Sequence, residues 1–306
     1  MPRGDLRRDL LDDLRRLARA ATAQVVTFEQ AAAALELSPR KATLRLAALA
    51  RRHAIRKIRR GIFLVPPLNT HDRAAARIES AEALAHALYR PCYIGGWSAA
   101  VRWGLPSVAR RETLIVTSAR VRATAVRVEG AYFHLHRLPE PLIAGPGIVT
   151  RLGDLKVSSA ERTLVDALRA PAWIGGVLFL KAALEAYRLS EAWNPDLLVE
   201  MLESAGNDAA IRRLGAITDA LGINFDDVLF ELRDWRRKGV IDLEPGAGKK
   251  GPVARWWRVR LNVDLYQRQW DGDDPGDHDE EYEEYLVEMD LVELESETIR
   301  ERGASW

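Results

Sequence analysis

One cysteine, Cys92, is all that the chain holds in 306 residues. That excludes a disulfide within the chain and a CxxC zinc site. Long apolar runs are missing too, and none reaches the length that spans a bilayer. The first residues are polar and charged, without the apolar core of a secretory signal. The expected location is therefore cytoplasmic, with no membrane partner. Catalytic signatures are equally scarce. The glycine-rich stretch 246–251 lacks the GxxxxGK[ST] spacing of a phosphate loop and precedes a predicted strand rather than a helix. His134 and His136 alternate on a predicted strand and so share a face, yet no carboxylate or cysteine accompanies them in a ligand motif. Asp271-Gly272-Asp273 has the look of a metal-binding carboxylate pair but sits in a polar run with Gly and Pro and no rigid support. Ser158 or Ser159 with Glu161 suits a helix cap better than a nucleophile. The expectation is a protein that is not an enzyme and that carries no metal and no cofactor.

What the chain has is segregated charge. The net charge is only +1, but residues 1–66 hold 15 Lys and Arg against 6 Asp and Glu, a local +9. Residues 271–306 hold 15 acidic side chains against Arg300 and Arg302, a local −13. A basic head and an acidic tail fit a nucleic-acid binder with an appended charged segment. The first part of the tail, 271–281, is too polar to be expected to fold, whereas 285–294 is more apolar and suits a helix or strand against another surface.

The head has a readable order. Thr27 is placed to cap a short helix over 28–35, and Glu36-Leu37 makes a turn. Ser38 stands at an N-cap and Pro39 at the first helical position, where no amide is needed. The next helix is predicted over 40–52, with Ala42, Leu46 and Leu49 on one face against Ala32, Leu35 and Leu37. Its opposite face shows Arg40, Lys41, Thr43 and Arg45, with Leu44 at the margin. This is the pattern of a recognition helix, whose first turns meet base edges in the major groove. Residues 54–58 and 62–65 are predicted to pair around Arg59-Arg60-Gly61, the glycine supplying the turn. Arg56, Lys57, Arg59 and Arg60 on that hairpin suit phosphates or a minor-groove edge. Charge alone is equally well read as a solvated helix face. The sequence of cap, turn, basic helix and basic hairpin instead favours a winged helix-turn-helix, with DNA contacts at Ser38, Arg40, Lys41, Thr43, Arg45, Arg56, Lys57, Arg59 and Arg60.

The remainder reads as mixed α and β, so the fold class expected is α+β: a winged helix-turn-helix over 1–68, a larger mixed domain over 73–265 and an acidic tail over 266–306. A first helix over 5–21 carries Leu6, Leu10, Leu14 and Leu17 on one face and braces the head. Further helices are predicted over 73–88, 97–103, 160–168, 176–187, 195–221 with a break at Gly206-Asn207, and 225–238. Strands are predicted over 113–117, 125–128, 132–136, 148–150 and 155–157. Segments 240–243 and 254–263 are expected to pair around the loop 244–253. Trp97, Ala100, Val101 and Leu105 are expected in the core, as are Leu164, Val165 and Leu168. Glu161, Arg162 and Asp166 are placed to form a polar network, the last two being one helical turn apart.

Several segments together resemble the AbiEi family of bacterial antitoxins and transcriptional regulators. They are the head ending in IRRGIFLVPP, YIGGWSAAVRWGLP at 93–106, SSAERTLVDAL at 158–168, RRLGAITDALG at 212–222 and RWWRVRLNV at 255–263. The acidic tail falls outside that pattern. The resemblance implies a DNA-binding antitoxin that represses its own operon by binding inverted repeats in double-stranded promoter DNA. It also implies a second partner, a nucleotidyltransferase-like toxin opposed directly or indirectly by the C-terminal domain. Two other functions stay open: a nucleic-acid-processing defence enzyme targeted by the winged helix, and a stand-alone transcriptional regulator.

Overall fold

The computed structural model describes residues 3–68, 77–150, 155–222 and 239–266. The expected boundary near 69–72, the helix over 225–238, the Asp271-Gly272-Asp273 motif and the acidic tail from 267 onward lie outside the described residues, as does the first part of the helix expected over 73–88.

The chain begins with α1 (Arg3–Ala20), β1 (Val25–Thr27), α2 (Phe28–Ala34), α3 (Pro39–Arg51), β2 (Arg56–Arg59) and β3 (Ile62–Leu64). Thr27 starts α2 with a reciprocal cap: its Oγ1 accepts from the Gln30 amide at 3.3 Å, and the Gln30 side chain accepts from the Thr27 amide at 2.9 Å. Ser38 does occupy the N-cap of α3 with Pro39 behind it, but its hydroxyl makes no capping bond. Ala42, Leu46 and Leu49 are buried as their spacing requires, the two leucines in one cluster with Leu14 and Leu17 of α1 and Phe63 of β3. The residue that α2 turns inward is Ala31 rather than Ala32, because Phe28, Ala31 and Leu35 make up its apolar stripe. β3 lies between β1 and β2 in an antiparallel sheet. Gly61 closes the basic hairpin at φ +78°, the left-handed conformation such turns need.

Next come α4 (Ala81–Tyr89), β4 (Cys92–Ile94), α5 (Gly96–Arg102), β5 (Thr113–Thr117), β6 (Ala125–Val128), β7 (Ala131–Arg137), α6 (Glu140–Ile143), β8 (Ile148–Thr150) and β9 (Lys156–Ser158). The helix expected from 73 does not form over 77–80. Ser80 is extended and caps α4, its Oγ accepting from the Ala83 amide at 3.1 Å. The six strands form one mixed sheet in the order β6-β7-β5-β4-β9-β8. One face packs Ile94, Ile115, Phe133 and Leu135 under Leu84 and Tyr89 of α4. The other packs Tyr93, Leu114 and Val116 against Trp97, Ile143 and Trp173. Val25 and Ile62 of the head join the α4 cluster, so the head is docked on the sheet rather than tethered beside it.

A helical layer completes the fold: α7 (Ala160–Arg169), a 3-10 turn at Pro171–Trp173, α8 (Val177–Arg188), α9 (Pro195–Ala205) and α10 (Asp208–Leu221). Residues 160–168 of α7 are all buried, with α5, α8, α9 and α10 around them. Ala100 and Leu105 are core residues, but Val101 is 68% exposed, since the buried stripe of α5 runs through Ala99 and Ala100 instead. Three short strands follow, β10 (Ile241–Asp242), β11 (Val253–Ala254) and β12 (Val259–Arg260). The expected pairing of the two segments exists between β10 and β12, but it is parallel, and β12 makes its antiparallel pair with β11. Two buried arginines of α10 hold this sheet in place. Arg212 donates to the carbonyls of Trp257 and Gly239, and Arg213 donates to those of Leu243 and Leu168, satisfying chain ends that no ladder reaches. The described residues form an α+β fold.

Candidate nucleic-acid interface

α3 presents Arg40, Lys41 and Thr43 to solvent over its first turns, and Ser38 is exposed just ahead of them. Thr43 donates its hydroxyl back to the Pro39 carbonyl at 2.9 Å. Arg45 is tied down: its Nε pairs with Asp13 of α1. Leu44, on the same outer side, is 66% exposed, an unusual position for leucine on a helix that buries three other apolar residues.

On the hairpin, Lys57, Arg59 and Arg60 are exposed. Arg56 is half-buried and donates from Nη2 to Glu129 Oε2 at 2.7 Å, across to the turn between β6 and β7. The nine residues named from sequence therefore fall into two groups. Ser38, Arg40, Lys41, Thr43, Lys57, Arg59 and Arg60 face water on one helix and one hairpin of the same unit. Arg45 and Arg56 meet carboxylates of this chain. Asp13 and Glu129 are the residues that sequence reasoning missed. They lie 32 and 73 positions from their partners, so no local pattern announces them.

The other residues singled out from the sequence have the following surroundings. Arg162 Nε meets Asp166 Oδ1 at 3.1 Å, and the hydroxyl of Tyr93 donates to Asp166 Oδ2 at 2.6 Å. The remaining Arg162 nitrogens donate to the carbonyls of Leu142 and Pro146. Burial pushes the Asp166 carboxyl up, against the pull of Arg162 and Tyr93. Burial also raises the Tyr93 hydroxyl well above its ordinary range, with Asp166 adding to the effect. Glu161 accepts from Tyr187 at 2.6 Å and from Ser159 at 2.7 Å. Glu161 and Asp166 are thus committed to donors of their own. Cys92 is buried, and burial pushes its thiol up to about 12, far from a reactive thiolate.

His134 and His136 do share a face of β7. They stand in a row of rings: Trp97 to His134 at 5.3 Å, His134 to His136 at 4.8 Å and His136 to Trp173 at 4.4 Å, the last pair stacked. Among the described residues no group of three or more His, Cys, Asp or Glu is gathered to hold a metal. Burial lowers both imidazoles, His136 to about 4 with His134 contributing. A histidine whose folded pKa lies below its unfolded value of about 6.5 binds more protons unfolded, so stability is full above about pH 6.5 and is lost as pH falls towards 4. For this half-buried ring the loss is on the order of 1–2 kcal/mol after solvent screening. Thermal melts between pH 7 and 4.5 should show it, and His136→Phe should flatten that part of the profile. An unchanged profile would place the acid sensitivity elsewhere.

No helix among the described residues is long and apolar enough to cross a membrane. No family model matches the chain, and no curated protein matches it. Among solved structures it is similar to the crystal structure of the RV2827C protein from Mycobacterium tuberculosis, at 18% identity and a TM-score of 0.51, over 81% of this chain and 89% of that one. At that identity the likeness speaks for the fold alone, and it extends through most of both chains.

Proposed function

We propose that the chain is a DNA-binding antitoxin and autorepressor of a toxin–antitoxin operon, acting against a nucleotidyltransferase-like toxin. The observation that carries the DNA reading is the placement of Arg40 and Lys41, exposed on the first turn of α3, within a unit of helix, strand, two helices and a basic hairpin whose sheet runs β1-β3-β2. That order is the one a winged helix-turn-helix needs, with α3 as the groove helix and β2–β3 as the wing. The antitoxin part rests on the family resemblance of segments 93–106, 158–168, 212–222 and 255–263, all of which lie in the larger α+β body beyond the head. The two buried carboxylates of α7 have filled hydrogen-bond sets, which favours this reading over a processing enzyme.

Arg40→Ala is expected to weaken binding to promoter DNA by about 1–3 kcal/mol if the side chain makes a bidentate guanine contact. Arg59→Ala and Arg60→Ala should weaken binding to all sequences and flatten its salt dependence. Gel-shift titrations at several salt concentrations measure both. Absence of binding to the promoter by the intact protein at low salt would end the repressor reading. For the antitoxin part, co-expression with the toxin of the neighbouring gene should restore growth, and a DNA-binding-deficient Arg40→Ala chain should still do so.

A further inference from the structure

α3 buries Ala42, Leu46 and Leu49 and leaves Arg40, Lys41, Thr43, Leu44, Ala47 and Arg51 exposed. At about 3.6 residues per turn, Arg40, Leu44, Ala47 and Arg51 fall within an arc of roughly 60°, directly opposite the buried stripe. Leu44 thus stands in the middle of the outer face, not at the margin expected from the sequence. It is 66% exposed, and the other two leucines of α3 are buried. A lone exposed leucine is ordinary on a protein surface. This one has Ala47 beside it one turn on, and the stripe carries a cation at each end, Arg40 before and Arg51 after. α3 itself holds no carboxylate. Two neighbouring polar groups are already engaged: the Thr43 hydroxyl donates to the Pro39 carbonyl at 2.9 Å, and Arg45 pairs with Asp13. A second copy of this chain seated face to face here would set Arg40, Lys41 and Arg51 against their own counterparts. A duplex offers those cations phosphates and guanine edges, and it brings the apolar centre of the stripe to the base edges.

We propose that Leu44, with Ala47 beside it, is a specificity-determining contact that takes the C5-methyl group of thymine in the major groove. The proposal rests on the DNA reading of the head and adds to it the chemistry of one base. Thymine is the base that shows an apolar group in that groove, where cytosine shows an amino donor and the purines show polar edges. Leu44 and Ala47 are three residues apart, ~4.5 Å along the helix axis. Successive bases lie ~3.4 Å apart along one strand, so the two side chains match neighbouring base positions. Arg40 keeps its own reach to a guanine edge, and Leu44 adds discrimination beside it.

The test titrates the full chain against promoter duplexes in which each thymine in turn is replaced by deoxyuracil, which keeps the pairing and the O4 acceptor and lacks only the methyl group. At a small number of positions the wild-type chain should bind the uracil duplex about four-fold more weakly, the change that corresponds to ~0.8 kcal/mol for one buried carbon group. At those positions Leu44→Ala should bind the thymine and uracil duplexes equally, which closes a double-mutant cycle between side chain and methyl group. Leu44→Met, of similar volume, should keep the preference. Neither variant should alter the dependence of log affinity on log salt, since no charge is lost, and an unchanged melting temperature shows that both fold. If every thymine can be replaced without loss, or if Leu44→Ala keeps the wild-type preference, the proposal is overturned while the head's role stands. A smaller assembly of Leu44→Ala in sedimentation without DNA, with the thymine preference intact, would assign the face to a second copy of the chain instead. No duplex binding at all by the wild-type chain would remove both readings.

Discussion

Arg162→Met should cost the fold about 3–5 kcal/mol, the range found when one member of a buried ion pair is removed. The expected size follows from what the guanidinium satisfies. It neutralises Asp166, which is 2% exposed, supports the Tyr93 hydroxyl at 3.2 Å and fills the carbonyls of Leu142 and Pro146. Methionine fills much of the volume but leaves a buried carboxylate with one donor, so the carboxyl is driven towards protonation. Asp166→Asn should also cost stability, because the amide has one acceptor for two donors, Tyr93 and Arg162, and leaves the buried guanidinium without its counter-charge. Adding Asp166→Leu to Arg162→Met should recover part of the loss, as coupled neighbours do. Urea unfolding of wild type, Arg162→Met, Asp166→Leu and the double variant measures the cycle. A cost below about 1 kcal/mol for Arg162→Met would mean that the network is wet and the pair no stronger than one at the surface.

Gly215→Ala should also destabilise, against the helix propensity of the two residues. Alanine in mid-helix is favoured over glycine by about 1 kcal/mol. At this position, however, a Cβ would stand 2.1 Å from Cε2 of Trp257. The indole has no room to retreat. It is 1% exposed, its Nε1 donates to Asp219 at 2.7 Å, and its backbone carbonyl is held by Arg212 at 2.7 Å. Overpacking of this kind costs typically 1–3 kcal/mol, and more where the neighbour is pinned. The expected net is a fall in melting temperature with a change in Trp257 fluorescence. A rise would show that α10 and the small sheet have slack between them.

How far the sequence could be read depended on how local each cause was. The start of α3 was legible because Ser38, Pro39 and the four-and-three spacing of Ala42, Leu46 and Leu49 are all neighbours in the chain. The Glu161, Arg162 and Asp166 network was legible in part, since one helical turn separates its main pair, but Tyr93 enters from another strand and could not be seen. β1 and β4 were missed for a common reason. Each is three residues long, too short for alternation to show, and each exists because partner strands are supplied from far along the chain. The parallel pairing of β10 with β12 is likewise set by Arg212 and Arg213 gripping its ends, not by any turn. Among the candidate contacts, Arg45 and Arg56 carry the right charge in the right pattern, and only the folded chain shows that Asp13 and Glu129 already meet them.

The charged outer strands have a consequence apart from any ligand. A sheet edge exposes unpaired amides and carbonyls on which another chain can add a strand, and proteins guard such edges with charge and with short strands. β2 is four residues long with Arg56, Lys57 and Arg59 among them, and β6 is four residues long with Arg127. Two copies of this chain meeting edge to edge would bring like charges together at both strands. The basic rim therefore discourages the protein from growing its own sheets into aggregates, a role it plays whenever no polyanion covers it.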